Sequence, residues 1–297
     1  MIMNTRIYSK GTELQIIVSV TSGATVTATK GSKVVSGTAV NGTCTLTVPE
    51  AGTWSVKATL GGETSDTKSV TFTDRYALTL SFLNDDFANN SWSAIIAACH
   101  SGSVPSTWVV GNSKTMTING ASYQVDIIGK NHDTYTAGGK APLTFQLHDC
   151  YAEPKAMNSS NTNSGGWTSC AMRSTHLPAI LALMPTEVQN GIREVNKLTS
   201  AGDQSSVINT TADKLFLLSV IEVFGEEISS FYGEGTQYDY YKAGNSKVKK
   251  QNGSATDWWG RSPSDFKSTS FCLVDSDGIA NAYGASYAAG VAFGFCF

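Results

Sequence analysis

Residues 12 to 73 share one texture, and it restricts the chain more than any other feature does. Six short runs, Leu14 to Val20, Thr25 to Lys30, Lys33 to Val40, Thr43 to Val48, Thr53 to Leu60 and Lys68 to Thr73, are separated by turns at Ser22-Gly23, Gly31-Ser32, Asn41-Gly42, Ala51-Gly52 and Gly61-Gly62. Turn signals roughly every ten residues leave no room for helices of ordinary length and predict a small β-sandwich. Sixteen of the 33 Thr precede residue 75, and Thr favours pleated, half-buried surfaces. Trp54, at the end of Pro49-Glu50-Ala51-Gly52-Thr53-Trp54, is expected in the core of that sandwich.

This first part resembles the immunoglobulin-like and transthyretin-like modules that serve as spacers or docking units, and no chemistry is visible in it. After Asp74-Arg75 the texture changes. Asn90-Ser91 predicts a capped helix through Ala98, with Trp92, Ile95, Ile96 and Cys99 on its apolar face. Asn119-Gly120 predicts a type I′ hairpin between Lys114 to Ile118 and Ser122 to Ile128, because both residues tolerate positive φ. Ala141 to Cys150 reads as a strand, Asn158 to Gly166 as a loop, and Trp167 to Ile192 as helix interrupted by Pro178 and Pro185. Lys214 to Phe224 fits either a strand or a buried helix, and short strands return from Trp258 onward, divided by the turn Asp275-Ser276-Asp277-Gly278. Strands and helices segregate, so the second part is expected to be α+β. The expected division is a sandwich over residues 1–75 and an α+β domain over residues 76–297.

Composition narrows the function classes. Charged residues are 15% of the chain, against roughly 25% in an average soluble protein. Ser (35), Thr (33) and Gly (28) cover the surface where charges normally would, a composition of extracellular-facing or phage-like β structure. The net charge of -3 and the lack of a dense basic stripe argue against nucleic acid as a partner; Lys247 to Lys250 reads as a solvated turn. No signal peptide is visible at Met1 to Lys10, and no stretch of about 18 apolar residues predicts membrane insertion. Cys44, Cys99, Cys150, Cys170, Cys272 and Cys296 lie far apart with no CxxC pair, which predicts buried thiols rather than a zinc ribbon or a disulfide scaffold.

Catalytic patterns are missing from the sequence. There is no HExxH, GxSxG or P-loop, and Gly233-Glu234-Gly235 lacks the third glycine of a dinucleotide loop. His100, His132, His148 and His176 are scattered without ligand spacing. His132-Asp133 and His148-Asp149 are adjacent pairs, but strand neighbours point to opposite faces and cannot form a dyad with each other. Asp275 and Asp277 lack the other ligand positions of a calcium loop. No catalytic residue, metal or cofactor is expected.

The most informative segment is Trp258-Trp259-Gly260-Arg261-Ser262-Pro263, continuing through Phe271-Cys272 and Asp277-Gly278 to Gly290-Val291-Ala292-Phe293-Gly294-Phe295-Cys296-Phe297. It resembles the C-terminal module of phage and gut-bacterial proteins with a C-type-lectin fold of the formylglycine-generating-enzyme type, the fold used by variable proteins of diversity-generating retroelements. Weaker likeness runs back through Met157-Asn158-Ser159-Ser160, Ser169-Cys170-Ala171-Met172-Arg173 and His176-Leu177-Pro178. The resemblance implies a C-type-lectin-like domain whose C-terminal side chains, rewritten by adenine-directed mutagenesis, form a binding face. Such mutagenesis of asparagine codons cannot yield Lys, Glu, Gln, Met or Trp. Those five types number 45 in the chain, and residues 260 to 290 hold one, Lys267, where simple proportion gives about five.

With Cys272 and Val274 toward the core, Leu273 and Asp275 face the other way, and Ile279, Asn281 and Tyr283 share one face. The candidate ligand-binding face is Gly260, Ser264, Asp265, Phe266, Thr269, Ser270, Leu273, Asp275, Ile279, Asn281, Tyr283 and Tyr287, with Trp258 and Trp259 as anchors beneath it. Its mixture of aromatic and small polar residues is that of a paratope. The expected function is non-catalytic receptor binding in host attachment, on a virion assembled in the host cytoplasm or at a bacterial cell surface. The partners are a bacterial surface protein or glycan and, through the N-terminal domain, other virion proteins; homo-oligomers are compatible with this. The alternatives are an oxidase related to the formylglycine-generating enzyme and a virion decoration protein without a specific ligand. The first needs two closely spaced cysteines, whereas Cys272 and Cys296 lie 24 residues apart.

Overall fold

The computed structural model describes residues 2–10, 14–72 and 76–297, and the chain is α+β. It divides into two compact units, Met1–Trp108 and Val109–Phe297. The expected division after residue 75 differs from this one. Asp74 and Arg75 lie outside the described residues, but Tyr76–Leu83 is a strand of the first unit, antiparallel to Ile2–Lys10 and parallel to Leu14–Ser19. A change of texture marks a change of element, while the boundary follows strand pairing, which texture does not encode.

Two sheets build the first unit. One is ordered Ile2–Lys10, Tyr76–Leu83, Leu14–Ser19, Thr43–Val48, and the other centres on Thr25–Lys30 and Gly52–Leu60. Alternation places Val26, Ala28, Val56 and Ala58 from one sheet against Ile16, Val18 and Leu46 from the other in one buried cluster. Trp54 is fully buried there, and its indole N–H donates to the Glu50 carbonyl at 3.1 Å. Beyond the sheets, Ser91 caps the helix Trp92–Ser101 by accepting from the Ala94 N–H, and Gly102 closes it at φ 65°.

The second unit is organised around a five-stranded antiparallel sheet ordered Ser113–Ile118, Ala121–Lys130, Leu143–Leu147, Gly294–Cys296, Leu215–Phe216. Asn119 (φ 49°) and Gly120 (φ 76°) form the first hairpin turn, as their tolerance of positive φ predicts. The aromatic end of the sequence is a central strand of this sheet. Gly294 is required there, since a Cβ would come within 2.8 Å of the Phe216 ring. Phe145 and Phe295 stack across the pairing at 5.3 Å.

The predicted helix over 167–192 is broken into Gly166–Ser169, a π-helical turn Met172–His176, Leu177–Leu181 and Thr186–Gly191. Pro178 sits in the first turn of its segment, where no amide hydrogen is needed. Lys214 to Phe224 contains both of its alternatives: strand at Leu215–Phe216, then a helix Val220–Phe224 opened by a Ser219/Glu222 capping box.

Candidate functional site

The candidate face grows from a three-stranded antiparallel sheet, Trp258–Pro263, Ser270–Val274 and Ala280–Gly284, with Ser270–Val274 in the middle. Register puts Trp259, Leu273 and Asn281 in one row and Phe271 beside Tyr283. The turn into the edge strand is tied by the Asp275 carboxylate, which accepts from the Asp277 N–H at 3.1 Å and the Ile279 N–H at 2.9 Å, with Gly278 at φ 84°. Ile279, Phe266 and Tyr287 are 62%, 51% and 45% exposed, three of the large apolar side chains that the described residues leave at the surface. Tyr283 and Tyr287 meet edge to face at 5.1 Å, and Tyr287 leans on the buried Trp259 at 6.3 Å. The Tyr287 hydroxyl lies 3.4 Å from Asp257, and burial together with that carboxylate raises its pKa.

Not all twelve predicted residues reach this surface. Thr269 and Asn281 are exposed, and Asp265, Asp275 and Tyr283 are half-buried. Gly260, Ser264, Ser270 and Leu273 are buried. Leu273 has the facing predicted for it, level with Asn281, but it belongs to the middle strand and is covered. Gly260 lies inside its strand, where a Cβ would stand 3.2 Å from the Leu218 carbonyl and 3.3 Å from that of Cys272. Ser264 and Ser270 close the intervening loop through the Ser264 N–H and the Ser270 carbonyl at 3.0 Å. Period two separates the two faces of a strand; which faces are covered depends on segments remote in sequence.

The loop carrying Phe266 and Thr269 is held by Asn163, a residue that sequence reasoning left inside a featureless loop. Its side-chain amide donates to the carbonyls of Lys267 (3.0 Å) and Ser270 (2.8 Å), and its carbonyl oxygen accepts from the Asp203 N–H at 2.8 Å. Asn163 is fully buried, and the Asn/Ser richness of 158–166 was the one signal available.

Behind the sheet runs a chain of buried charges. Arg261, from the Arg-Ser-Pro motif, forks onto both carboxylate oxygens of Glu222 and donates to the carbonyls of Leu217, Leu198 and Glu234. Lys197 bridges Glu222 (2.7 Å) to Asp133 (2.8 Å). Asp133 also accepts from Tyr238 at 2.8 Å and Thr144 at 2.6 Å. Against the cost of burial, Lys197 and Thr144 hold Asp133 down at about 2, and Arg261 and Lys197 hold Glu222 below its ordinary value. Glu234 has no cation of its own. Burial pushes it up to about 7, although the Ser200 N–H and the Ser262 hydroxyl donate to it. The members of the network bond chiefly to one another, and Asp133, Lys197 and Glu222 also line a cleft of about 240 Å³ with His132, apart from the twelve residues of the predicted face.

Groups that could do covalent chemistry are placed elsewhere or sealed. All six cysteines are buried free thiols. Burial pushes Cys272 well above the usual thiol range, and its Sγ donates to the Ser229 carbonyl at 3.1 Å. Cys296 lies instead beside Asp133 and Thr144. His132 stacks on Tyr238 at 4.0 Å, and His148 pairs with Asp126 rather than with its neighbour Asp149. Among the described residues, no group of three or more His, Cys, Asp or Glu is placed to hold a metal ion, and no helix is long and apolar enough to cross a membrane.

The family described as Domain of unknown function (DUF6273) matches residues 143–296, just over half of the chain and the whole of the three-stranded sheet. No curated protein and no solved structure matches the chain.

Proposed function

The chain belongs to the DUF6273 family, whose description assigns no activity, and from the geometry of the site we propose that it is a non-catalytic binding protein. The edge strand Ala280–Gly284 and its flanking loops form the ligand face of a C-type-lectin-like scaffold, and the first unit is an immunoglobulin-like mount. The observation that carries this reading is the exposure of Phe266, Ile279 and Tyr287, with Tyr283 against Tyr287, on a sheet fixed from behind by fully bonded charges. Aromatic side chains supply contact area at low entropic cost when their support is rigid, and the exposed Thr269 and Asn281 supply polar contacts beside them. The paired Trp and the Arg-Ser-Pro motif support the same reading through the retroelement variable proteins they resemble, in which such a face is carried on a phage particle or a bacterial surface. The ligand is then a bacterial surface protein or glycan. Against the oxidase alternative stand Cys272 and Cys296, buried thiols with different hydrogen-bond partners.

The test is binding of the full chain to a panel of intact bacterial strains and to a glycan array, with Phe266, Tyr283 and Tyr287 changed to Ala together. Selective binding should be lost by tenfold or more, because anchors of this kind commonly contribute about 2 kcal/mol each. Stability should fall by about 1 to 2 kcal/mol, since Phe266 and Tyr287 are about half exposed and Tyr283 is half-buried. Undiminished binding by the triple variant would refute the face, and unselective binding by the wild type would favour a decoration role.

A further inference from the structure

Two sequence features that the proposed function leaves unused, the His148-Asp149 pair and the basic run ending at Lys250, meet in the second unit. The Lys250 N–H donates to Asp149 Oδ1 at 2.7 Å, and the Lys250 carbonyl accepts from the Cys150 N–H at 2.8 Å. Beside this crossing lies a cleft of about 280 Å³, lined by His148, Lys250, Asp149, Tyr123, Gln124 and Asn252 among others. We propose that this cleft is a second binding site, taking an anionic oxygen group, a phosphate or a carboxylate, against His148 and Lys250.

The argument starts at Asp126. Its carboxylate is nearly buried and accepts from Ser113 Oγ at 2.7 Å, from His148 Nδ1 at 2.7 Å and from the Tyr240 hydroxyl. Three donors keep it ionised, and they fix the imidazole so that Nδ1 carries its hydrogen toward Asp126. The other ring nitrogen, Nε2, is left for the cleft, and the side chain is 44% exposed. The hydrogen bond to Asp126 favours the imidazolium, in which Nε2 is a charge-assisted donor. The remaining groups around the ring are Asp149, one of whose oxygens is engaged by the Lys250 N–H, and Lys249.

Lys249 is the third basic group here, beside His148 and Lys250, and faces the carboxylates of Asp126 and Asp149. Its ammonium is buried and donates to two uncharged acceptors, the carbonyls of Leu147 (2.7 Å) and His148 (2.8 Å). Burial pushes Lys249 down to about 8, and Asp126 and Asp149 offset part of its field; with His148 protonated, the three basic groups outnumber the two carboxylates by one, a charge that an oxyanion in the adjacent cleft would offset. Lys250 is exposed at the rim. The site is built for binding rather than for covalent chemistry. Its one thiol, Cys150, is pushed up to about 12 by burial and lies where a Cβ on Gly290 would be 2.5 Å from its Sγ.

The test follows the His148 imidazole by NMR in the full chain, assigned with His148→Gln, during titration with sodium phosphate and separately with sodium acetate at constant ionic strength. Saturable shifts in the millimolar range and a higher His148 pKa with the anion present are expected, because a ligand that prefers the imidazolium must raise it by linkage. Lys250→Ala should weaken binding about tenfold, the loss of one charged hydrogen bond. Asp126→Asn should lower the His148 pKa and weaken binding at neutral pH. Saturation by phosphate alone assigns a phosphate-bearing ligand, and saturation by acetate alone a carboxylate. Non-saturable shifts with both anions, or equal affinities in wild type and Lys250→Ala, would overturn the proposal.

Discussion

Glu234→Gln should stabilise the protein above about pH 4.5, by an amount that grows until about pH 7 and is level beyond it. Glu234 is fully buried between the Ser200 N–H at 2.8 Å and the Ser262 hydroxyl, and burial raises its pKa from 4.5 to about 7. The folded chain therefore binds a proton where the unfolded chain has already lost it. Stability contributed by this group is complete below about pH 4.5 and is lost as pH rises through 7. A difference of roughly two and a half units corresponds to about 3 kcal/mol at most. Glutamine keeps the shape and an acceptor for Ser200, and its amide can donate to Ser262, whose oxygen already accepts from the Val220 N–H. It never ionises. Urea denaturation followed by tryptophan fluorescence from pH 4 to 8 should show wild type and variant equal at the acid end and separated by up to about 3 kcal/mol at pH 8. His132, whose pKa burial lowers, tilts stability the opposite way near pH 6, but in both proteins, so it cancels in the difference. A difference that does not change with pH, or a variant less stable at pH 8, would refute this account of Glu234.

Two further outcomes follow from the scaffold. Arg261→Ala should cost about 3 to 5 kcal/mol in the same assay, because it strips Glu222 of its fork while Glu222 stays buried; Arg261→Lys should recover little, since an ammonium cannot reach the six acceptor atoms the guanidinium serves. Asn163→Ala should loosen residues 264 to 270 and cost about 1 to 3 kcal/mol, with faster amide exchange in that loop as the specific sign; unchanged exchange there would mean the loop is held by other contacts.

Local chemistry was legible in the sequence wherever a few neighbouring residues decide the outcome. The Ser91 cap, the Asn119-Gly120 turn and the Asp275 turn each depend on side chains within four positions of the backbone they bond. The α+β class followed from segregated patterns. Burial on both sides of Ser270–Val274 was not legible, because two flanking strands and the segments above and below them create it. Nor was the charge chain, whose members at 133, 197, 222 and 261 share no spacing and meet only in the folded protein. Arg261 stood out as part of a motif, yet its role as the centre of a buried network required its partners. Leu273 was assigned to the predicted face by alternation, which says which way a side chain points and nothing about what lies there.

The central place of Gly294–Cys296 has a consequence for synthesis. This strand inserts between Leu143–Leu147 and Leu215–Phe216, pairing Thr144 with Cys296. On the ribosome, the second unit cannot complete its main sheet until residue 296 has cleared the exit tunnel. Until then Phe145 and Phe216 lack the partners that cover them, and the nascent unit waits with open strand edges that invite chaperones or a second chain. The first unit closes its own sheets by residue 83 and is free of that delay.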